Sequence, residues 1–230
     1  MKKELRIICS GGTSVPLVEA AKLFEEKTGI KTKPVVGKAH VLYAEVKITK
    51  DADLFHIGAE YQADLAEFEG VIERETRRVI GFRRSVLAVP KGNEKKITCL
   101  EDLAQDGMNV SVCVAGCLSG IWDDVVSRTQ NLQLLRKIRN NITSYSEGCM
   151  GNCRKLIEKG TDVSFGWNVF SVVFPEKIEC IEFPEELQIR RSTNISKFTF
   201  CRFHEEAEKF LQFMETDEVR DIYKKYGWEV

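Results

Sequence analysis

The sequence lacks the features that mark several large classes of protein. No apolar run approaches the roughly 20 residues of a membrane-spanning helix, and the 34 Lys and Arg residues are balanced by 35 Asp and Glu, for a net charge of −1. Nucleic-acid-binding proteins usually carry a basic excess, so we expect no nucleic-acid partner. Proline is scarce, with five residues, and no segment rich in proline, glycine and serine reads as a linker.

Catalytic motifs are also missing. The sequence has no G-x-S-x-G, no H-E-x-x-H and no phosphate-binding P-loop. With only three histidines in the chain, Cys9 and His56 are the one cysteine–histidine pair to consider, and nothing in the sequence indicates a group that would orient the imidazole. We therefore expect a protein that is not an enzyme.

The first residues, MKKELRIICSGG, contain no apolar segment as long as the ~7–15 residues at the centre of a secretory signal. Two alternatives follow for location. Either a signal was removed and the protein is periplasmic or extracellular, or Met1 is the native start and the protein is cytoplasmic. The eight cysteines suggest no obvious pairing, which favours a reducing compartment.

The order of the predicted elements indicates an α/β fold with two lobes. A strand, a loop and a helix alternate three times up to Glu69, which is typical of a parallel sheet with helical crossovers. A long strand over Arg78–Pro90 then breaks this rhythm. We predict lobe I over residues 1–82 and 193–230, lobe II over 83–192, and a double-strand hinge where the chain changes lobe. Ligands in such sheets bind beyond the carboxyl ends of the strands.

Four stretches carry a resemblance to a known family: LRIICSGGTSVPLVEAAKLFEEKTGIK, DADLFHIGAEYQADL, RRSVLAVPKGNEKKITCLEDLA and EEAEKFLQFMETDEVRDIYKKYGW. Together they resemble the type II periplasmic binding proteins, and among these the molybdate/tungstate-binding proteins of ABC importers. The resemblance spans nearly the whole chain. It implies a two-lobe type II fold that closes over a small inorganic oxyanion, a monomer, and an ABC permease as partner if the protein is exported.

The resemblance also implies ligand-binding residues in the loops that follow the strands. In the family, hydroxyls and backbone N–H groups at helix N-termini hold the oxyanion, because the helix dipole and its unpaired N–H groups favour negative charge. The positions in this chain are Ser10, Gly12, Thr13, Lys38, Gly58, Ser119 and Gly148. The second loop departs from the family pattern, since Gly37-Lys38-Ala39 has no hydroxyl. Lys38 either neutralises the anion or is a solvated loop charge.

The cysteines support an alternative, a metalloprotein that uses the same fold. Cys9, Cys117, Cys149 and Cys153 come from three segments that are expected at one cleft, and the last two share a helix face. Thiolates suit zinc and iron–sulfur clusters, so these four residues could hold either cofactor. Chance placement of the cysteines is the competing interpretation.

Other residues have simpler structural interpretations. Asp53 is expected to be a structural residue at the start of a strand, and His56 is a weaker candidate for the site. Trp167 is either core or a cleft wall. Arg83 is expected on a solvated face or in a hinge ion pair.

Overall fold

The computed structural model describes residues 4–230, in which strands and helices alternate. The strands are β1 (Glu4–Ser10), β2 (Lys31–Gly37), β3 (Leu54–Ile57), β4 (Arg78–Pro90), β5 (Val110–Ala115), β6 (Ile142–Glu147), β7 (Val163–Trp167), β8 (Ile178–Glu182) and β9 (Arg190–Lys197). The helices are α1 (Ser14–Thr28), α2 (Ala39–Thr49), α3 (Glu60–Phe68), α4 (Ile121–Ser127), α5 (Leu132–Asn140), α6 (Gly148–Ile157), α7 (Val169–Val173), α8 (His204–Met214) and α9 (Asp217–Lys225). Within residues 4–230, no helix is both long and apolar enough to cross a membrane.

The chain divides into two compact units. Unit 1 comprises Met1–Phe82 and Arg191–Val230, and unit 2 comprises Arg83–Arg190. The chain leaves unit 1 within β4 and returns to it at the start of β9. Two strands thus carry the chain between the units.

Unit 1 is built on a sheet in which β1 pairs in parallel with β2 and β3, and β3 pairs antiparallel with β9. All four residues of β3 are buried, as expected for a strand covered on both faces. Helix α1 buries Leu17, Ala20, Ala21 and Phe24, which recur at helical spacing. It ends where Gly29 adopts φ +72° and donates its N–H to the Glu25 carbonyl.

Aromatic side chains fill both sides of this sheet. On one side the ring of Phe24 meets that of Phe210 from α8 edge to face, with centroids 4.9 Å apart. On the other, Phe55 of β3 lies between Tyr43 and Phe198, at 5.4 and 5.3 Å. Such aromatic pairs stabilise a core by more than the burial of their apolar surface alone would give. They therefore stabilise the packing of the unit 1 sheet.

Unit 2 is built on strands β4 to β8. Strand β5 pairs in parallel with β6 and β7, while β4 pairs antiparallel with β7 and β8. Leu87, Val110, Ile138 and Leu156 are fully buried around these strands. The carboxyl ends of β5 and β6 are therefore neighbours on one edge of the sheet, in register at Ala115 and Glu147.

We expect the protein to lose stability at alkaline pH in part through Cys201 of unit 1. Burial, together with the negative charge of Asp53, raises the pKa of the Cys201 thiol to about 11. The unfolded chain ionises this thiol at lower pH, so the stabilisation is complete below the ordinary thiol pKa and is lost as pH rises toward 11. Urea unfolding at pH 8 and pH 10.5 should show a smaller alkaline loss for Cys201→Ala than for the wild type. An equal loss in both proteins would contradict the assignment.

Candidate functional site

Three loops of unit 1 lie together at the carboxyl ends of its parallel strands. The register aligns Ser10 with Gly37 and Cys9 with His56, so the segments after β1, β2 and β3 start side by side. Each segment leads into a helix: α1, α2 or α3. The predicted residues Ser10, Gly12, Thr13, Lys38 and Gly58 all lie in these segments. The N-cap residues of these three helices are Thr13, Lys38 and Ala59, and their own side chains make no capping hydrogen bond.

The loop after β1 is closed by its own hydroxyls. The Ser10 and Thr13 hydroxyl oxygens are 2.9 Å apart, and Ser14 donates to the Gly11 carbonyl at 3.0 Å. Thr13 is fully buried, whereas Ser10 is half-buried. The buried Thr13 side chain therefore stabilises the loop from its interior side. The Ser10 hydroxyl is more accessible to a ligand than the Thr13 hydroxyl.

A buried network beneath this loop centres on His56. Its Nδ1 lies 3.3 Å from the Cys9 Sγ and 3.2 Å from the Thr13 hydroxyl, and its Nε2 lies 2.8 Å from the Tyr223 hydroxyl. No group that orients this imidazole was predicted from the sequence. Tyr223 of α9, which is fully buried and 167 residues away, orients it. Cys9 and His56 are themselves fully buried. The network therefore ties the loop after β1 to β3 and α9.

Removing the Tyr223 hydroxyl should destabilise unit 1 by about 1–3 kcal/mol, because it leaves one buried nitrogen of His56 without that partner. The change is Tyr223→Phe, measured by urea unfolding. The control is Tyr226→Phe, which removes a hydroxyl bonded to Glu19 at the surface. Equal losses of unfolding free energy in the two variants would show that the buried Tyr223–His56 hydrogen bond stabilises the protein no more than the Tyr226–Glu19 bond does.

Unit 2 presents a matching pair of loops. Strand β5 ends at Ala115 and is followed by Gly116 and Cys117, while β6 ends at Glu147 and is followed by Gly148 and Cys149. Both glycines have positive φ, +72° and +73°, a conformation that favours glycine. The predicted residue Gly148 opens α6. Predicted residue Ser119 is half-buried just beyond Cys117, and its hydroxyl donates to the Val114 carbonyl at 3.3 Å.

The two cysteines of these loops are in contact. The Sγ atoms of Cys117 and Cys149 are 3.4 Å apart, and Nη1 of Arg83 lies 3.5 Å from the Cys117 Sγ. The hydrogen bond from Cys149 and the charge of Arg83 hold the pKa of Cys117 well below its ordinary value. The adjacent Cys117 sulfur and burial hold the pKa of Cys149 well above it.

Arg83 corrects one expectation from the sequence. It was predicted on a solvated face or in a hinge ion pair, and the first of these is wrong because its side chain is fully buried. The guanidinium stacks over the Trp167 ring at 4.9 Å, and Trp167 is itself fully buried. From the sequence alone, the charged side chain of an arginine in a strand is expected to reach solvent. Arg83 is buried because β7, which carries Trp167, pairs with β4. Unit 2 thus holds a cation next to its loop cysteines.

The four predicted metal-ligating cysteines are divided between the units, with Cys9 in unit 1 and Cys117, Cys149 and Cys153 in unit 2. Among residues 4–230, no three His, Cys, Asp or Glu side chains converge as metal ligands. Cys9 contacts His56 in unit 1, while Cys153 lies one turn beyond Cys149, buried, where burial and the Cys180 charge raise its pKa. The helical spacing correctly placed Cys149 and Cys153 on one face, but that face turns into the interior.

Comparison with known families gives one match over almost the whole chain. The family model described as "Bacterial extracellular solute-binding protein" matches residues 5–229. A search of curated proteins finds no significant match.

Solved structures show the same fold. PEB3 with bound L-phospholactate superposes with a TM-score of 0.87 at 24% identity, covering 98% of this chain and 99% of that one. Peb3 from Campylobacter jejuni gives 0.84 at 24%, with the same coverage. The periplasmic molybdate-binding protein of Azotobacter vinelandii gives 0.79 at 15% identity, covering 98% and 99%. The predicted α/β fold of two-lobe type II periplasmic binding proteins is confirmed.

Proposed function

The chain belongs to the bacterial extracellular solute-binding protein family, and we propose that it binds a small oxyanion group for an ABC importer without transforming it. This match, together with the shared fold of the Azotobacter vinelandii molybdate-binding protein, confirms the resemblance to type II periplasmic binding proteins that was inferred from the sequence. Solute binding is therefore the function of the family, and the anion is our proposal for this chain.

One observation carries the proposal: helix N-termini lie at the carboxyl ends of parallel strands in both units. In unit 1 these are α1, α2 and α3, and in unit 2 it is α6. The first N–H groups of a helix and its dipole favour an anion there without any full positive charge. We assign Gly12, Gly58 and Gly148 as backbone donors and Ser10 and Ser119 as hydroxyl donors, with the Ser119 hydroxyl exchanging its bond to the Val114 carbonyl for one to the anion.

The residues around the loops favour a tetrahedral oxyanion group. Two kinds of ligand carry such a group. One is a free ion such as molybdate or tungstate, and the other is a small organic acid with a phosphoryl group, like the L-phospholactate bound by PEB3. Lys38, exposed at the start of α2, adds a positive charge where the family pattern has hydroxyls. A lysine is a point-charge partner suited to a phosphate-like group.

A thermal-shift panel tests the class of ligand. It contains tungstate, molybdate, sulfate and phospholactate, with acetate and glucose as controls. A ligand at a hundredfold excess over its Kd adds about 2.7 kcal/mol of stability, which corresponds to a Tm rise of about 5 to 10 °C for a chain of this size. A rise with the free ions or with the phosphoryl compound identifies the source of the oxyanion. No rise with any of the four, or a rise with glucose alone, would overturn the proposal.

We further propose that the two units close over the ligand, because the chain changes unit at only two places, within β4 and at the start of β9. Closure should lower the radius of gyration measured by solution X-ray scattering when the stabilising anion is added. A Tm rise with an unchanged radius would retain binding and exclude closure.

A further inference from the structure

The turns that carry Cys117 and Cys149 are built alike. Each cysteine follows a glycine with φ near +72°, and each glycine follows the last residue of a parallel strand. The strands are in register at Ala115 and Glu147, so the cysteines occupy equivalent positions two residues beyond that pair. A Cβ placed on Gly116 would lie 3.8 Å from the Gly148 Cα, which shows how closely the two turns approach.

This arrangement points the two sulfur atoms at each other. Their separation of 3.4 Å is non-bonded contact, and a disulfide of about 2.05 Å needs the sulfurs to move together by about 1.4 Å. Both residues are 4% exposed, so solvent and other thiols are largely kept away. Within residues 4–230 no cysteine is in a disulfide, and the pair is in its dithiol form.

The surroundings divide the two thiols into different roles. The guanidinium of Arg83 is 3.5 Å from the Cys117 sulfur and stabilises a thiolate there. Cys149 keeps its proton because a second negative charge beside the first is unfavourable. One thiol is thus the attacking group and the other the resolving group, as thiol–disulfide exchange requires.

We propose that Cys117 and Cys149 form a redox-active dithiol that closes to a disulfide by exchange with a low-molecular-weight disulfide. The Cys117 thiolate attacks one sulfur of the oxidant RSSR, which forms a mixed disulfide and releases RS⁻. Cys149 then loses its proton to RS⁻ or solvent and attacks the Cys117 sulfur, which releases the second RS⁻. The two cysteines are oxidised, the oxidant is reduced to two RSH, and the two thiol protons end on them.

The other cysteines provide the contrast. Cys153 is buried on the next turn of α6 and has a raised pKa, and Cys99 is exposed and also has a raised pKa. Oxidation is therefore expected to be selective, and the pair reacts only when the turns open enough to admit the oxidant. The inference does not depend on the identity of the proposed anion.

The test uses the whole folded protein in oxidised glutathione, followed by alkylation and peptide mapping by mass spectrometry. We expect a Cys117–Cys149 cross-link as the main disulfide, reversible with dithiothreitol and retained in the control variant Cys153→Ser. In Cys149→Ser, Cys117 should accumulate as the glutathione mixed disulfide, because the resolving thiol is gone.

Two results would overturn the inference. One is modification of the exposed Cys99 by glutathione without a cross-link between Cys117 and Cys149. Modification of Cys99 shows that the oxidant was active, so the missing cross-link would count against the inference. The other is cross-linking spread evenly over several cysteine pairs. The wild-type map decides between these results and the expected one even if a variant fails to fold.

Discussion

Replacing Asp53 by alanine is expected to lower the free energy of unfolding by about 3 kcal/mol, which is a large fraction of the stability of an ordinary domain. The carboxylate is fully buried immediately before β3. Its Oδ2 accepts from the Arg6 backbone N–H at 2.8 Å and from the Arg202 guanidinium at 2.9 Å, and its Oδ1 accepts from the Arg202 backbone N–H at 3.0 Å. The variant leaves these donors without their acceptor, and urea unfolding measures the loss.

The neighbouring carboxylate is the matched control. Asp51 also pairs with Arg6 and Arg202, each at 2.6 Å, but its side chain is 46% exposed. Exposed ion pairs contribute about 0–1 kcal/mol, so Asp51→Ala should have little effect. Comparable losses in the two variants would contradict the structural role of Asp53.

Removing a proposed hydroxyl donor should weaken anion binding strongly. A hydrogen bond to a charged group contributes about 1.5–3 kcal/mol, so Ser10→Ala and Ser119→Ala are each expected to raise Kd about ten- to a hundredfold. Ser10 lies at the end of β1 in unit 1 and Ser119 beyond β5 in unit 2, and both are half-buried. The measurement is calorimetric titration with the anion identified in the thermal-shift panel.

The control for this pair is Ser127→Ala, which removes an exposed hydroxyl bonded to Asp123 on α4. Its Kd should equal that of the wild type. If Ser10→Ala and Ser119→Ala also bind with wild-type Kd, these hydroxyls are not donors, and any binding would rest on the backbone groups.

The fold could be predicted because its signals are local. The strand predicted over Arg78–Pro90 has these bounds in the structure, and the alternation of strands and helices before it follows from the spacing of apolar residues. The glycine-rich turn after β1 also marks the end of a strand. Near the site, the family resemblance placed Ser10, Lys38, Ser119 and Gly148 at or just after the ends of strands, where the structure also has them.

The packing around the site could not be predicted in the same way. The spacing of Cys149 and Cys153 gives their common helix face but does not tell which one meets Cys117. The burial of Arg83 depends on Trp167, and the orientation of His56 depends on Tyr223, both far away in the sequence. Such contacts depend on how distant elements pack, and a single sequence does not record this.

The central claim, that this chain binds a small oxyanion group, is tested most directly by calorimetric titration of the purified wild-type protein. The titrants are tungstate and phospholactate, with acetate as control. We predict saturable binding of at least one titrant at one site per chain, and no heat with acetate. No heat with either titrant, or equal heat with acetate, would contradict the account.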